Sequence, residues 1–353
     1  MACGSPPERV LCIKLKHIGD VLLMTPTIRA IRLAWPVCRI AALVPRGIEG
    51  VLQGNPDLEA ILTLDRGAGL AGVWRTVGAV RRFAPDLVLE MGGGDREATF
   101  GWLSGAGTRV GYTPDRAGGW RRALLSRTIP WNGNQHMVET NLDLVRACGI
   151  AAAGCRPVLV VQPEARARMA GRLAAAGLAP GQPLVVLHAV SRWLFKAWPE
   201  AGCATVLAHL TRRGIAVAVT SGPEAREAEA AKRVLSRAAA PAIDLVGRTS
   251  LAELAAVLER ATLFLGVDSA PMHMAAALGV PVVALFGPSG EKSWGPWGEG
   301  HVVLTSPYLC RPCGKDGCLG SKKSDCLEAI SPQAVLAAVE PLLWRGAAAG
   351  GKG

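Results

Sequence analysis

The chain has 353 residues, 50% of them hydrophobic and 19% charged, with a formal net charge of +11. That length suits two domains rather than one core, and the composition excludes a disordered chain. The basic balance points to acidic partners: nucleic acid, anionic lipid or a phosphorylated substrate.

Residues 10–15 read as the first strand. The run is too short for a secretion signal, and Lys14 and Lys16 interrupt it. A loop at 16–20 precedes a helix over 21–33 with Pro26 in its first turns. Strands follow at 39–44 and 61–64. A helix over 74–83 carries arginines on one face, and a strand at 86–91 runs into Gly92, Gly93 and Gly94. Strands alternating with helices predict a parallel sheet. This half reads as a Rossmann-type domain with polar loops at the strand C-terminal ends, where ligands bind. Between 109 and 127 the pattern loosens into five Arg, Trp120 and one acid, Asp115. The segment reads either as a solvated loop or as a site for an anionic acceptor or lipid headgroups, with Arg116, Arg121 and Arg122 as candidates. A helix over 136–148 ends at Gly149.

A strand at 157–161 leads into a helix over 163–176. A second alternating series begins at 184. Its strands lie at 184–188, 215–220, 243–245, 263–267 and 282–286; its helices lie at 199–213, 224–238, 251–259 and 271–278. A final amphipathic helix covers 331–343. The uncharged run 269–290 is long enough to span a bilayer, but Pro271, His273 and Pro281 break it, so it reads as a helix plus a buried strand. The expectation is a cytoplasmic protein. Its domains are 1–170 and 171–330, followed by a C-terminal helix (331–345) and a flexible tail (346–353).

The cysteines fall into two groups. Cys3, Cys12, Cys38, Cys148, Cys155 and Cys203 sit mostly in apolar contexts and read as buried free thiols. Cys310, Cys313, Cys318 and Cys326 crowd one segment, which reads either as a structural zinc knuckle or as reduced, redox-labile thiols.

The second half concentrates chemistry at its strand ends. The segment 266–273 follows a buried strand and opens a helix with Asp268, Ser269, Ala270 and His273, which is how open α/β sheets cradle an anion. Lys196 precedes the Trp198-Pro199 helix start, within reach of a phosphate, and His188 and Ser191 lie just upstream. Glu224 follows a strand, where an acid can bond ribose hydroxyls. Thr249 belongs to the loop after 243–245. Several such loops on one side of one sheet point to a nucleotide diphosphate site. In the first half, Asp20 reads either as a helix N-cap or as a carboxylate placed to take a proton from a hydroxyl.

Residues 14–23 with Thr25 and Pro26, residues 196–199, Ser221 to Glu224 and Gly266 to His273 together resemble the lipopolysaccharide heptosyltransferases, family nine of the glycosyltransferases. The form Lys16-His17-Ile18-Gly19-Asp20 and the cysteine-rich segment most resemble the heptosyltransferase III branch. The resemblance implies a GT-B fold, with two Rossmann-like α/β domains facing across a cleft. Residues 1–170 would bind the acceptor and residues 171–330 an ADP-heptose donor. It implies inverting, metal-independent transfer to an inner-core heptose of lipopolysaccharide at the cytoplasmic face of the inner membrane, with no cofactor and no nucleic-acid partner. Asp20 would be the general base; Lys196 and Ser191 would hold the diphosphate, Glu224 the ribose and Thr249 the adenine edge. Asp268, Ser269, Ala270 and His273 would line the phosphate and sugar end. The rival readings are a transferase using another nucleotide sugar, a nucleotide-sugar epimerase of the same architecture, and a non-catalytic thiol or zinc module. A diphosphate leaving group needs fixed charge to receive it, and the chain has no Asp-x-Asp pair of the kind that holds a metal–diphosphate.

Overall fold

The buried apolar runs form two six-stranded sheets, parallel throughout. The computed structural model describes residues 6–65, 67, 69–113 and 119–349. It divides into two units, Met1–Val160 and Val161–Gly353. That division places the whole helix after residue 162 in the second unit, where the expected 170/171 boundary would cut it.

Unit 1 contains β1 (Arg9–Ile13), α1 (Ile18–Leu22), α2 (Thr25–Ala34), β2 (Arg39–Pro45), β3 (Ala60–Leu64), α3 (Gly69–Phe83), β4 (Leu87–Glu90), α4 (Asp95–Leu103), β5 (Thr108–Thr113), α5 (Gly119–Leu124), β6 (Arg127–Pro130) and α6 (Met137–Ala147). Its strand order is β3-β2-β1-β4-β5-β6. β1 and β4 are neighbours, so the chain reverses direction across the sheet between them, and ligands bind at the strand ends beside such a switch point. Leu11, Ile13 and Leu43 of the sheet pack against Val77 and Val80 of α3 and Phe100 of α4.

The helix expected over 21–33 is two helices. Pro26 has no N–H to continue a helix from the turn before it. The Leu22 carbonyl instead accepts the Thr25 hydroxyl at 2.7 Å, and α2 starts afresh with Pro26 in its first turn. Thr25 Oγ1 also accepts the Val158 N–H at 2.8 Å. The strand expected at 157–161 is therefore absent: Val158 is tied to α2 and joins no ladder.

Unit 2 contains α7 (Pro163–Ala175), β7 (Leu184–His188), α8 (Glu200–Arg212), β8 (Ala216–Ser221), α9 (Ala225–Ala238), β9 (Ile243–Val246), α10 (Leu251–Arg260), β10 (Leu263–Val267), α11 (Ala270–Ala277), β11 (Val282–Leu285), α12 (Glu291–Trp294), β12 (Val302–Leu304), α13 (Asp325–Glu328) and α14 (Pro332–Ala349). Its strand order is β12-β11-β10-β7-β8-β9. The central strands β7 and β10 are buried along their whole length, as strands covered on both faces must be. Val335 and Val339 of α14 pack into the same core, so the terminal helix belongs to this unit. No helix among the described residues is long and apolar enough to cross a membrane.

Candidate active site

In unit 1 the polar centre lies where β1 and β4 end. Lys14 follows β1 and is 1% exposed. Its Nζ donates to the Met91 carbonyl at 2.7 Å and to Asn141 Oδ1 at 3.4 Å. Asp20, on the first turn after the loop, holds its carboxylate 3.7 Å from that ammonium and is 14% exposed. Burial pushes the Lys14 ammonium below its usual value, while Asp20, Glu90 and Glu97 pull it upward. A buried cation surrounded by carboxylates thus fixes Asp20 from below and leaves its outer edge open.

Two further glutamates complete this centre. Glu97 Oε1 accepts the Leu15 N–H at 3.1 Å and so holds the start of the loop. Glu90 is fully buried, pairs with Arg121 at 2.5 Å and accepts the Gly94 N–H at 3.2 Å. Gly111 makes the room, since a Cβ there would stand 2.6 Å from Glu90 Oε2. Burial raises the Glu90 carboxyl to about 7, with Glu97 adding to the rise and Arg121 opposing it.

The three arginines considered for an anionic acceptor separate. Arg116 lies outside the described residues. Arg122 is exposed. Arg121 is buried against Glu90, with Nε and Nη1 unpartnered among the described residues. It acts inside the fold rather than on the outer surface, because a guanidinium this deep needs its carboxylate.

In unit 2 the strand ends carry a second polar centre. Lys196 Nζ meets Asp268 Oδ2 at 2.6 Å, although the two are far apart in sequence. Asp268 follows β10, and Ser269 stands in extended backbone before α11. No side chain caps that helix, because the Ser269 hydroxyl turns back to the Val267 carbonyl at 3.1 Å. Ala270 opens the helix, leaving no bulk at the N-terminus, and His273 is buried one turn on. A cation held on Asp268 therefore stands next in the chain to a helix start that no side chain caps, an arrangement that suits a phosphate. Ser191 is buried three residues past β7, the strand that pairs with β10, and accepts the Trp193 N–H at 3.3 Å.

His188 ends β7. Its Nδ1 lies 2.9 Å from Thr220 Oγ1 and its Nε2 3.5 Å from Glu227 Oε1. Glu227 also accepts the Gly222 N–H at 2.7 Å. Burial raises the Glu227 carboxyl, but His188, the Gly222 amide and Arg192 outweigh it and the net shift is downward. Glu227, which the sequence reading passed over, thus orders the loop after β8. Glu224 is exposed at the start of α9 and pairs with Arg192 at 3.2 Å. Thr249 is half-buried ahead of α10, whose Ser250–Glu253 capping box fixes the helix start.

The four clustered thiols do not gather into a metal cage. Cys310 is exposed, Cys313 and Cys318 are half-buried, and Cys326 is buried, with its Sγ 3.3 Å from where a Cβ on Gly287 would stand. The backbone between them is engaged elsewhere: Gly314 N–H donates to the Pro288 carbonyl and Cys318 N–H to the Lys323 carbonyl. Among the described residues no group of three or more His, Cys, Asp or Glu is arranged to hold a metal. The zinc reading therefore finds no support among the described residues. Cys12, Cys38, Cys148 and Cys203 are buried and form no disulfide, Cys155 is half-buried, and Cys3 lies outside the described residues.

Comparison with known proteins gives the following. The model of glycosyltransferase family 9 (heptosyltransferase) matches residues 73–323. The chain is 28% identical to lipopolysaccharide heptosyltransferase 3 of Escherichia coli K12, covering 93% of this chain and 96% of that protein. It is 30% identical to lipopolysaccharide heptosyltransferase 1 of Pseudomonas aeruginosa, covering 95% and 98%. A family 9 glycosyltransferase structure from Veillonella parvula superposes with a TM-score of 0.84 at 24% identity over 96% and 97% of the two chains, and the shared fold is GT-B.

Proposed function

The chain belongs to glycosyltransferase family 9, the heptosyltransferases, and from that premise we propose that it moves a heptose from ADP-L-glycero-D-manno-heptose to a heptose of the lipopolysaccharide inner core. The named relatives act on lipopolysaccharide, and the two with whole-chain matches support this substrate. The observation that carries the reading is the meeting of Lys196 with Asp268 at the uncapped start of α11.

The reaction is a single displacement. The acceptor hydroxyl oxygen attacks the anomeric carbon, its proton passes to Asp20, and the bond from that carbon to the β-phosphate oxygen breaks. ADP departs with the electron pair, and the anomeric configuration inverts. Lys196, Ser191, Ser269 and the amides beginning at Ala270 receive the leaving charge, so the step needs no metal. Glu224 binds the ribose, Thr249 borders the adenine, and His188, Asp268 and His273 shape the phosphate and sugar end. On unit 1, Arg122 and Arg116 contact the anionic acceptor, while Arg121 holds Glu90 inside the fold. The protein works at the cytoplasmic face of the inner membrane, where the excess of basic residues favours an anionic surface.

The test is incubation of purified protein with ADP-heptose and lipid-free inner-core oligosaccharide, with chelator present. The expected product is the oligosaccharide enlarged by one heptose, with inverted anomeric configuration. Turnover of ADP-heptose without acceptor would favour an epimerase, and transfer from a different nucleotide sugar alone would reassign the donor.

A further inference from the structure

Apart from Arg122, the outer face of α3, α4 and α5 on unit 1 has no part in the proposed reaction. The strand order sends α3, α4 and α5 along successive steps in one direction across the sheet, and right-handed crossovers put all three on the same face. Arg81 Nε donates to the Leu103 carbonyl at 2.9 Å and ties α3 to α4. Large apolar side chains project outward from this layer. Trp74 on α3 is 63% exposed, Trp102 on α4 52% and Trp120 on α5 53%, with Leu70 open beside them.

Arginines surround these rings. Arg75, Arg82, Arg96 and Arg122 are exposed on the same three helices, and none has an acidic partner among the described residues. Asp95 is the exposed acid of these helices. Indole rings have an apolar body and a polar N–H, so they sit at headgroup depth. Guanidinium groups bond phosphate oxygens from the same level. We propose that the α3–α4–α5 face docks on an anionic phospholipid surface, with the indoles of Trp74, Trp102 and Trp120 in the interface and Arg75, Arg82 and Arg96 on lipid phosphates. The charge pattern selects this occupant: a protein partner would need a dense acidic face, whereas an anionic bilayer supplies one everywhere. The proposal rests on the membrane setting given above and names the face that meets it.

The experiment is co-sedimentation of the full chain with vesicles of phosphatidylglycerol and phosphatidylcholine, or of phosphatidylcholine alone, with indole fluorescence recorded in parallel. The expected result is binding to the anionic vesicles, with a blue shift that disappears in the triple variant Trp74→Ser, Trp102→Ser, Trp120→Ser. The partition coefficient of that variant falls about tenfold or more. Arg75→Ser with Arg82→Ser lowers it roughly 25-fold, at about fivefold per arginine. A charge-matched control on unit 2, Lys232→Ser with Arg237→Ser, stays within about twofold of the parent. Equal losses in the control would reduce the effect to net charge and overturn the proposal. So would unchanged binding by the triple tryptophan variant, or loss of a self-associated form by that variant in sedimentation velocity. Transfer to lipid-free oligosaccharide, assayed on the same samples, keeps the two readings apart. Failure there with intact vesicle binding counts against the heptose transfer, and the converse counts against the docking face.

Discussion

At the residue scale, charge placed out of water decides most of the behaviour. Lys196 faces Asp268, and in the proposed reaction the donor diphosphate competes for its ammonium. Lys196→Ala is expected to cost roughly 10²–10³ in kcat/KM, since it removes a cation aimed at the departing phosphates. Steady-state kinetics with varied donor would contradict this if both parameters stayed at parent values. Glu90 gives a pH signature. Burial lifts its carboxyl from 4.5 to about 7 in the folded chain, so between those values the folded state holds a proton that the unfolded state has released. Its contribution to stability is therefore present below about pH 4.5 and is lost as the pH rises to about 7. Melting temperatures of Glu90→Gln across this window should fall less steeply than those of the parent; parallel curves would remove Glu90 from this role.

At the element scale, the strand ends set the site and the loops are held by buried acids. Glu227 bridges His188 and the Gly222 amide, and a Cβ on Gly222 would stand 2.5 Å from Glu227 Oε2. Gly222→Ala should displace that carboxylate, cost about 1–3 kcal/mol and weaken ADP binding. Calorimetric titration with an unaltered ADP affinity would refute the link between this loop and the donor. These elements were not equally legible in the sequence. Strands β7 and β10 coincide with uninterrupted apolar runs bounded by polar residues, so their limits could be read directly. Helix α4 escaped notice because Gly92, Gly93 and Gly94 precede it and its residues Asp95 to Leu103 show little amphipathic periodicity. β12 is a three-residue edge strand, too short to leave a pattern. Glu224 stands out in the sequence because it closes the short loop after a strand, whereas Glu227 lies inside the helical run and carries no such signal. The helix turns Glu227 inward and leaves Glu224 to Arg192, and only the packing of α9 against β8 distinguishes them. Lys14 is hidden for a related reason: a charge at the end of an apolar strand gives no sign that Asn141, from α6, receives it.

At the scale of the whole molecule, each unit has its own sheet and its own core, so the two carry separable stabilities. The proposed donor contacts lie on unit 2 alone. Scanning calorimetry with ADP at about 100 times its dissociation constant should stabilise the unit 2 transition by about 2.7 kcal/mol and leave the unit 1 transition where it was. A shift confined to unit 1 would reverse the assignment of donor and acceptor halves. The central claim is that a proton acceptor on unit 1 and a diphosphate pocket on unit 2 serve one transfer. Asp20→Asn tests it most directly, with single-turnover heptose transfer and ADP titration measured on the same preparation. The account predicts that transfer drops below detection while the ADP dissociation constant stays within about twofold of the parent, because the change removes proton uptake alone. Transfer at the parental rate would contradict it.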